Sequence, residues 1–158
     1  MEYQKFIPEG WNVNLEPISK ETLDKSFLEG NIIQGRVEKC DARYNLYVTL
    51  AQDTIGIIPR EEVEAINVQE TGLPKPNICL SKVNQYVQFK IIDKDTANNR
   101  FILSRKQVGK EALEWLKEEV IPGSIVNGIV KNIQPYGAFV EIGRWNSRVI
   151  THRRYVHC

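Results

Sequence analysis

Aromatic residues occupy matching positions in two segments of the chain, on the polar side of each predicted strand. In 46–50, leucine and valine alternate with polar residues, so Tyr47 projects from the opposite face. The same alternation in 138–142 places Phe139 on the polar face. A ring in such a position can pack beneath a loop, or it can stack on a nucleobase for about 1–3 kcal/mol. The aromatic residues in question are Tyr44, Tyr47, Tyr136 and Phe139.

Basic side chains near these segments could approach phosphate groups. They are Arg36, Lys90, Arg100 and Lys131, and ordinary solvated charge is an equally good interpretation of each.

The sequence argues against catalysis and against a bound metal or cofactor. Residues 1–143 contain no histidine, no paired-carboxylate motif and no glycine-rich phosphate loop. Cys40 has no visible base to activate it, and the three cysteines lack metal-ligand spacing. We therefore expect no enzyme activity, no metal site, no cofactor and no small-molecule substrate.

Composition narrows the classes of protein further. The 158 residues are 42% hydrophobic, with 21 basic and 20 acidic residues and a net charge of +1, so the chain as a whole is neither a polybasic nucleic-acid tail protein nor an acidic disordered region. Four basic residues and no acidic ones follow residue 143, so residues 1–143 carry a net charge of −3. No apolar run reaches the roughly 18 residues of a membrane span, and no secretory signal is visible. We expect a cytoplasmic protein without membrane contact.

The hydrophobic pattern predicts five short strands followed by a helix. Ser19 is expected to cap a short helix through Phe27, and Glu61–Lys82, with two prolines and a glycine, is expected to be a connection with one helical turn at 61–66. An amphipathic helix is predicted over 107–119. The strands are predicted at 32–39, 46–50, 54–58, 86–92 and 100–103.

The segment after this helix repeats the first strands. Residues 29–37 align with 122–130 at an offset of 93, and Tyr44 and Tyr47 align with Tyr136 and Phe139 at an offset of 92. A nearly constant offset over about twenty positions indicates tandem domains.

These motifs resemble a known family. Gly128-Ile129-Val130 followed by Tyr136-Gly137-Ala138-Phe139-Val140-Glu141-Ile142-Gly143 is similar to the start of the RNA-binding repeat named after bacterial small-subunit ribosomal protein S-one. The first copy resembles that repeat at 35–37, 44–48, 56–58 and 100–104. The run 103–106, which leads into the tryptophan-containing helix, is similar to the linkers of the ribosomal protein.

The resemblance implies a mainly β fold, with a five-stranded OB-type barrel, a linker helix and an incomplete second barrel. It implies RNA binding through the four aromatic residues and through an acidic–arginine pair, here Asp95 and Arg100. The family's histidine after the third strand is replaced by Pro59. The implied domains are an N-terminal extension (1–27), the first repeat (28–106), the linker helix (107–119) and the first strands of a second repeat (120–143).

Two functions remain open on these grounds. The first is a non-catalytic protein of the translation apparatus that binds single-stranded RNA or mRNA on the small ribosomal subunit, by aromatic stacking. The second is a docking module that anchors the chain to the ribosome, as leading repeats of the ribosomal protein commonly do.

Residues 144–158 do not continue the repeat. They lack the apolar alternation of strands three to five, and we expect an open edge rather than a closed second barrel. One permitted set of codons for 143–158, read after removal of a single nucleotide, encodes Gly-Gly-Gly-Ile-Ala-Gly-Leu-Leu-His-Ile-Glu-Asp-Met-Ser-Ile, which resembles the missing continuation. We therefore interpret 144–158 as an out-of-frame tail; the alternative is an arginine-rich arm that contacts phosphates.

The coding DNA tests this interpretation. We expect the nucleotides after the codon for Gly143 to encode the third strand of the repeat in the shifted frame. Codons that give no repeat-like sequence in either alternative frame would contradict it.

Overall fold

The computed structural model describes residues 6, 8–11, 18–51, 53–66, 68–118, 129–134, 137–143 and 146–150. The chain divides into two compact units, Asn12–Val108 and a second unit formed by Met1–Trp11 with Gly109–Cys158. No helix in the described ranges is both long enough and apolar enough to cross a membrane. The elements are α1 (Lys20–Glu29), β1 (Ile33–Cys40), β2 (Leu46–Ala51), β3 (Thr54–Ile58), a 3-10 turn (Arg60–Glu62), α2 (Pro76–Ser81), β4 (Tyr86–Asp95), β5 (Arg100–Ser104), α3 (Arg105–Glu118), β6 (Ile129–Gln134), β7 (Gly137–Gly143) and β8 (Asn146–Ile150).

The first unit contains a closed five-stranded barrel with the strand order β1-β2-β3-β5-β4. Neighbouring strands are antiparallel, apart from β3 and β5, which are parallel. Buried and more exposed side chains alternate along β2, as the sequence pattern predicts. The fully buried strand residues are Val37, Leu46, Val48, Ile58, Phe89 and Leu103.

Glycine is required at two strand positions where a neighbouring side chain approaches the backbone closely. A Cβ on Gly56 would collide with the side chain of Leu103, and one on Gly35 would lie 2.8 Å from Cγ1 of Val48. These two positions let opposite side chains fill the interior, which makes the core a close-packed one.

The five predicted strands and the helix before them are confirmed. Ser19 caps α1 by accepting a 3.2 Å hydrogen bond from the backbone N–H of Thr22, and Gly30 ends the helix with a φ of 68°. Leu23 of α1 is fully buried in the barrel's hydrophobic cluster. The strand β4 is three residues longer than predicted, because its polar end, Asp93–Asp95, lies on the barrel surface.

The long connection between β3 and β4 differs from the prediction. The helical turn expected at 61–66 is a 3-10 turn at Arg60–Glu62. The connection also contains α2, a helix that the sequence analysis did not predict and that begins at Pro76. Proline suits the first position of a helix, where its missing N–H would have no intrahelical partner.

The second unit contains a three-stranded antiparallel sheet with the order β6-β7-β8. The expectation that residues after 143 supply no strand is wrong, because Asn146–Ile150 pairs with β7. The open edge of β7 offers backbone donors and acceptors to any extended segment, whatever its side-chain pattern. In the same unit, the ring of Phe6 lies 5.8 Å from that of Trp115. The domain boundaries and the out-of-frame origin of the tail stay predictions.

A buried ion pair fixes the β3–β4 connection to the start of α3. Arg105 Nη1 lies 2.7 Å from Glu64 Oε1, and both side chains are only 1% exposed. The same nitrogen donates a 3.0 Å hydrogen bond to the carbonyl of Val63. Lys82 adds a second cation 3.7 Å from Glu64. Next to this pair, the Ser104 hydroxyl donates to Glu62 at 2.5 Å and accepts from the N–H of Gln107.

Removing one member of the buried pair should destabilise the protein strongly. We expect Arg105→Met to lower the free energy of unfolding by about 3 kcal/mol, because Glu64 then stays buried with only Lys82 nearby. The double variant Glu64→Leu/Arg105→Met should recover most of that loss, since no buried charge remains.

Urea unfolding followed by circular dichroism measures both effects. Lys94→Ala, which breaks the half-exposed pair between Lys94 and Asp24, serves as the control and should cost less than about 1 kcal/mol. A double variant less stable than Arg105→Met would contradict the argument.

Candidate nucleic-acid interface

Two rows of side chains cross the outside of the barrel. Pairing between strands aligns Lys39 of β1, Tyr47 of β2, Ile57 of β3 and Ile102 of β5 in one row. The next row, two residues along each strand, comprises Thr49, Ile55, Arg100 and Asp95. We call these eight residues the outer face.

A β-bulge brings Lys39 into the first row. The pairing of β1 with β2 shifts between Val37 and Lys39, so that Lys39 lies opposite Tyr47. The Lys39 ammonium nitrogen is 4.6 Å from the centroid of the Tyr47 ring. A cation therefore lies beside the aromatic ring that sequence reasoning selected.

The hydroxyl of Tyr47 is held by Asp41. It donates a 2.9 Å hydrogen bond to Asp41 Oδ2, and this bond is the main reason why the pKa of Tyr47 is raised. Burial and the charge of Asp41 raise that pKa further, while the charge of Arg100 opposes them. The half-exposed ring is thus fixed by its polar end.

Asp41 organises the whole β1–β2 turn. Its Oδ1 accepts hydrogen bonds from the backbone N–H groups of Arg43 and Asn45, at 2.9 and 3.0 Å. Its Oδ2 accepts from the Asn45 side chain at 3.2 Å as well as from Tyr47. Burial by itself would raise the pKa of Asp41, but these hydrogen bonds outweigh it and lower the pKa.

Tyr44 is already in contact with protein on more than one side. Its backbone has a φ of 65°, and its side chain packs against the hydrophobic core. The guanidinium of Arg60 lies 5.1 Å from its ring centroid. Arg60 Nε and Nη2 both donate to the carbonyl of Pro74, at 3.1 and 2.7 Å.

Uncovering Tyr44 would cost about as much as a base could gain. Two hydrogen bonds at about 1 kcal/mol each and a cation–π contact of about 0.5–1 kcal/mol would be lost. A stacked base contributes about 1–3 kcal/mol. Tyr44 is therefore a poorer stacking surface than Tyr47 while Arg60 stays in place.

Asp95 and Arg100 form the pair that the resemblance implied. Arg100 Nε lies 2.9 Å from Asp95 Oδ2, and the side chain and backbone of Asn98 also donate to Asp95. The hydrogen bonds from Asn98, followed by that from Arg100, lower the pKa of Asp95. Arg100 shares the outer face with Tyr47, so the structure brings these two predicted residues together.

The other predicted residues lie elsewhere or outside the described side chains. Arg36 is opposite Tyr86 of β4 and donates a 3.0 Å hydrogen bond to Asn84. Lys90 is opposite Ser104, at the end of β5 remote from Arg100. Lys131 and Phe139 are placed by backbone only, in β6 and β7, and Tyr136 lies outside the described residues. In the part of the chain that the structure describes, no group of three His, Cys, Asp or Glu side chains is arranged for a metal.

Sequence reasoning missed Lys39, Asp41, Arg60 and Ile55. Asp41 accepts from the N–H of Arg43, two residues on, as in an Asx turn, and an aspartate at the start of a turn could have indicated this role. Lys39 depends on a bulge, and Arg60 depends on a contact with Pro74 fourteen residues away, so neither has a local signal.

The five-stranded barrel, closed in the order β1-β2-β3-β5-β4, is of the OB type. No family model matches the sequence. Small ribosomal subunit protein bS1 of Neisseria meningitidis is 41% identical over 61 residues, which is 36% of this chain and 11% of that protein. The bS1 protein of Rickettsia conorii is 25% identical over 123 residues, 78% of this chain and 21% of that protein.

The chain is therefore similar in sequence to bS1 proteins over 36% to 78% of its length. It spans about one tenth to one fifth of the length of these curated relatives. Among solved structures, GSP13 from Bacillus subtilis is 25% identical with a TM-score of 0.41, covering 51% of this chain and 56% of that one. A chain of the a/eIF2alpha-aDim2p-rRNA complex from Pyrococcus horikoshii is 21% identical with a TM-score of 0.40, covering 56% and 52%.

The Asp41 turn should make stability depend on pH. Because folding lowers the pKa of Asp41, its carboxylate stabilises the folded state above pH about 4, and this is lost as pH falls through the folded pKa. We expect Asp41→Asn to cost about 1 kcal/mol at neutral pH, since the residue is half-exposed, and much less near pH 2.

Urea unfolding of both proteins at the two pH values measures the difference. Asp53→Asn, an exposed carboxylate on the neighbouring turn, is the control and should give nearly the same small effect at both. An Asp41→Asn cost that is unchanged at low pH would contradict the role of the carboxylate charge.

Proposed function

We propose that this chain is a non-catalytic, single-stranded RNA-binding protein of the translation apparatus, and that it binds RNA on the outer face of its barrel. The observation that carries the proposal is the first row, in which the fixed ring of Tyr47 lies between Lys39 and two isoleucines. Its relationship to bS1 supports the association with RNA and with the small ribosomal subunit.

The outer face is better suited to contact a nucleobase than to contact the sugar–phosphate backbone of an RNA. Tyr47 is held by Asp41, so little conformational freedom is lost when a base stacks on it. Ile102 continues the row with a half-buried apolar side chain, while Ile57, between Tyr47 and Ile102, is buried beneath its neighbours. Lys39 lies beside the ring and Arg100 lies in the next row of the same face, so both are positioned for the phosphates that flank a stacked nucleotide.

Bulk charge does not explain the proposed affinity. Residues 1–143 carry a net charge of −3, so long-range attraction to a polyanion is weak. Binding therefore depends on short-range stacking and a few local cations. We expect a shallow salt dependence, with a slope corresponding to about two neutralised phosphates.

One observation favours the docking function as a second candidate. Ile55 is 48% exposed in the middle of the outer face, next to Arg100. Exposed aliphatic surface beside an aromatic ring is typical of a protein contact. Because the body of the chain is acidic, a basic protein of the small subunit is the partner that this candidate implies.

Substitution of Tyr47 tests the main proposal. We expect Tyr47→Ala to weaken binding of a fluorescein-labelled uridine RNA of about 12 nucleotides by about 5- to 100-fold, as a lost stack predicts. Tyr47→Phe should bind with an affinity between those of Tyr47→Ala and the unaltered protein, because it keeps the ring but loses the bond to Asp41 that fixes it. Tyr86→Ala is the matched control, since Tyr86 is a half-exposed tyrosine of β4 outside the outer face. Fluorescence anisotropy gives the affinities.

The same variants separate the two functions. If Tyr47→Ala leaves RNA affinity unchanged, stacking on the outer face is wrong. If, in addition, Ile55→Asp abolishes sedimentation of the chain with small ribosomal subunits, the docking function takes its place.

A further inference from the structure

Arg60 is not among the aromatic or basic residues that the sequence analysis selected for RNA contact. Its guanidinium nevertheless lies over the ring of Tyr44, which the resemblance to the RNA-binding repeat selected. We propose that the guanidinium of Arg60, rather than the ring of Tyr44, is the second base-stacking surface of the barrel. This inference rests on the proposed function and identifies one of its contact residues.

Arg60 is fixed at both its backbone and its side chain. Its N–H donates a 3.0 Å hydrogen bond to the side-chain carbonyl of Asn45, in the turn that Asp41 organises. Its Nε and Nη2 both donate to the carbonyl of Pro74. A guanidinium held through two of its nitrogens has a defined plane, which is the condition for stacking rather than for loose charge attraction.

The ring of Tyr44 supports this guanidinium from below. The guanidinium carbon is 5.1 Å from the ring centroid, and the tyrosine side chain in turn packs against the barrel core. The order of groups from the interior outwards is therefore core, tyrosine, arginine. Arg60 is half-buried, so part of the residue remains open to solvent.

The alternative surface, Tyr44 itself, would require the base to remove Arg60 from its three hydrogen-bonded or ring contacts. Nucleobases stack on guanidinium planes as they do on aromatic rings. The existing arrangement thus already offers a planar surface at this place. Pro59 precedes Arg60 and has an extended backbone, with φ −58° and ψ 150°, from which the 3-10 turn begins.

Two variants of Arg60 test the inference against the same RNA. We expect Arg60→Ala to weaken binding about 5- to 20-fold, as expected for one lost stack. Arg60→Lys should weaken it to nearly the same extent, because lysine keeps the charge and a donor for Pro74 but has no plane. Lys25→Ala, an exposed charge on α1, removes one positive charge elsewhere and should change affinity less than about twofold.

A second RNA with the same backbone but with abasic residues separates bases from phosphates. The unaltered protein should bind it more weakly than the uridine RNA, and the effect of Arg60→Lys should disappear on it. Two-dimensional NMR spectra of each variant establish that the barrel is intact; Arg60→Lys retains the donor to Pro74 and so serves if the alanine variant is disturbed.

Three results would overturn the inference. Tighter binding by Arg60→Ala would mean that Arg60 only covers a stacking surface formed by Tyr44. Full affinity in Arg60→Lys would mean that the residue contacts a phosphate. Unchanged affinity in both Arg60 variants, together with a loss in Tyr47→Ala, would remove Arg60 from the interface while leaving the proposed function intact. Failure of the unaltered protein to bind the uridine RNA, by contrast, is a failure of the proposed function.

Discussion

Barrel closure through the parallel pairing of β3 with β5 is the constraint on which the other features depend. Two parallel strands cannot be joined by a tight turn, so the chain must travel from the end of β3 around the barrel before β4 and β5 are added. The connection from Pro59 to Gln85 exists for this reason. The same pairing aligns Ile55 with Arg100 and Ile57 with Ile102, which creates the two rows of the outer face.

Strand positions in the barrel could be predicted because each strand carries its own alternation of apolar and polar residues. Leu46–Ala51 and Thr54–Ile58 are examples, and the capped helix after Ser19 has an equally local signal. The helix at Pro76 was missed because proline has opposite meanings inside a helix and at its first position. β8 was missed because pairing along an open edge depends on the backbone rather than on side-chain pattern.

Within the candidate site, some of the residues could be selected from the sequence, but the contacts that surround them could not. Tyr47 and Arg100 share one face, as the alternation and the family resemblance implied. Arg36 and Lys90 were chosen for charge alone, and their strands carry them to the β1–β4 side of the barrel. Contacts that join distant parts of the chain, such as Arg60 with Pro74, have no signature in a single sequence, because they depend on how loops return to the barrel.

The segment 60–64 joins two places that are far apart in the chain. At one end Arg60 contacts Tyr44 and Asn45; at the other, Glu62 and Glu64 bind Ser104 and Arg105 at the start of α3. These five residues thus make two separate sets of side-chain contacts, and at most one residue separates the two sets in the chain. During divergence, a replacement at any of these contacts alters the environment of the others, so we expect the positions to change as a group. Related chains should preserve either the whole arrangement or none of it.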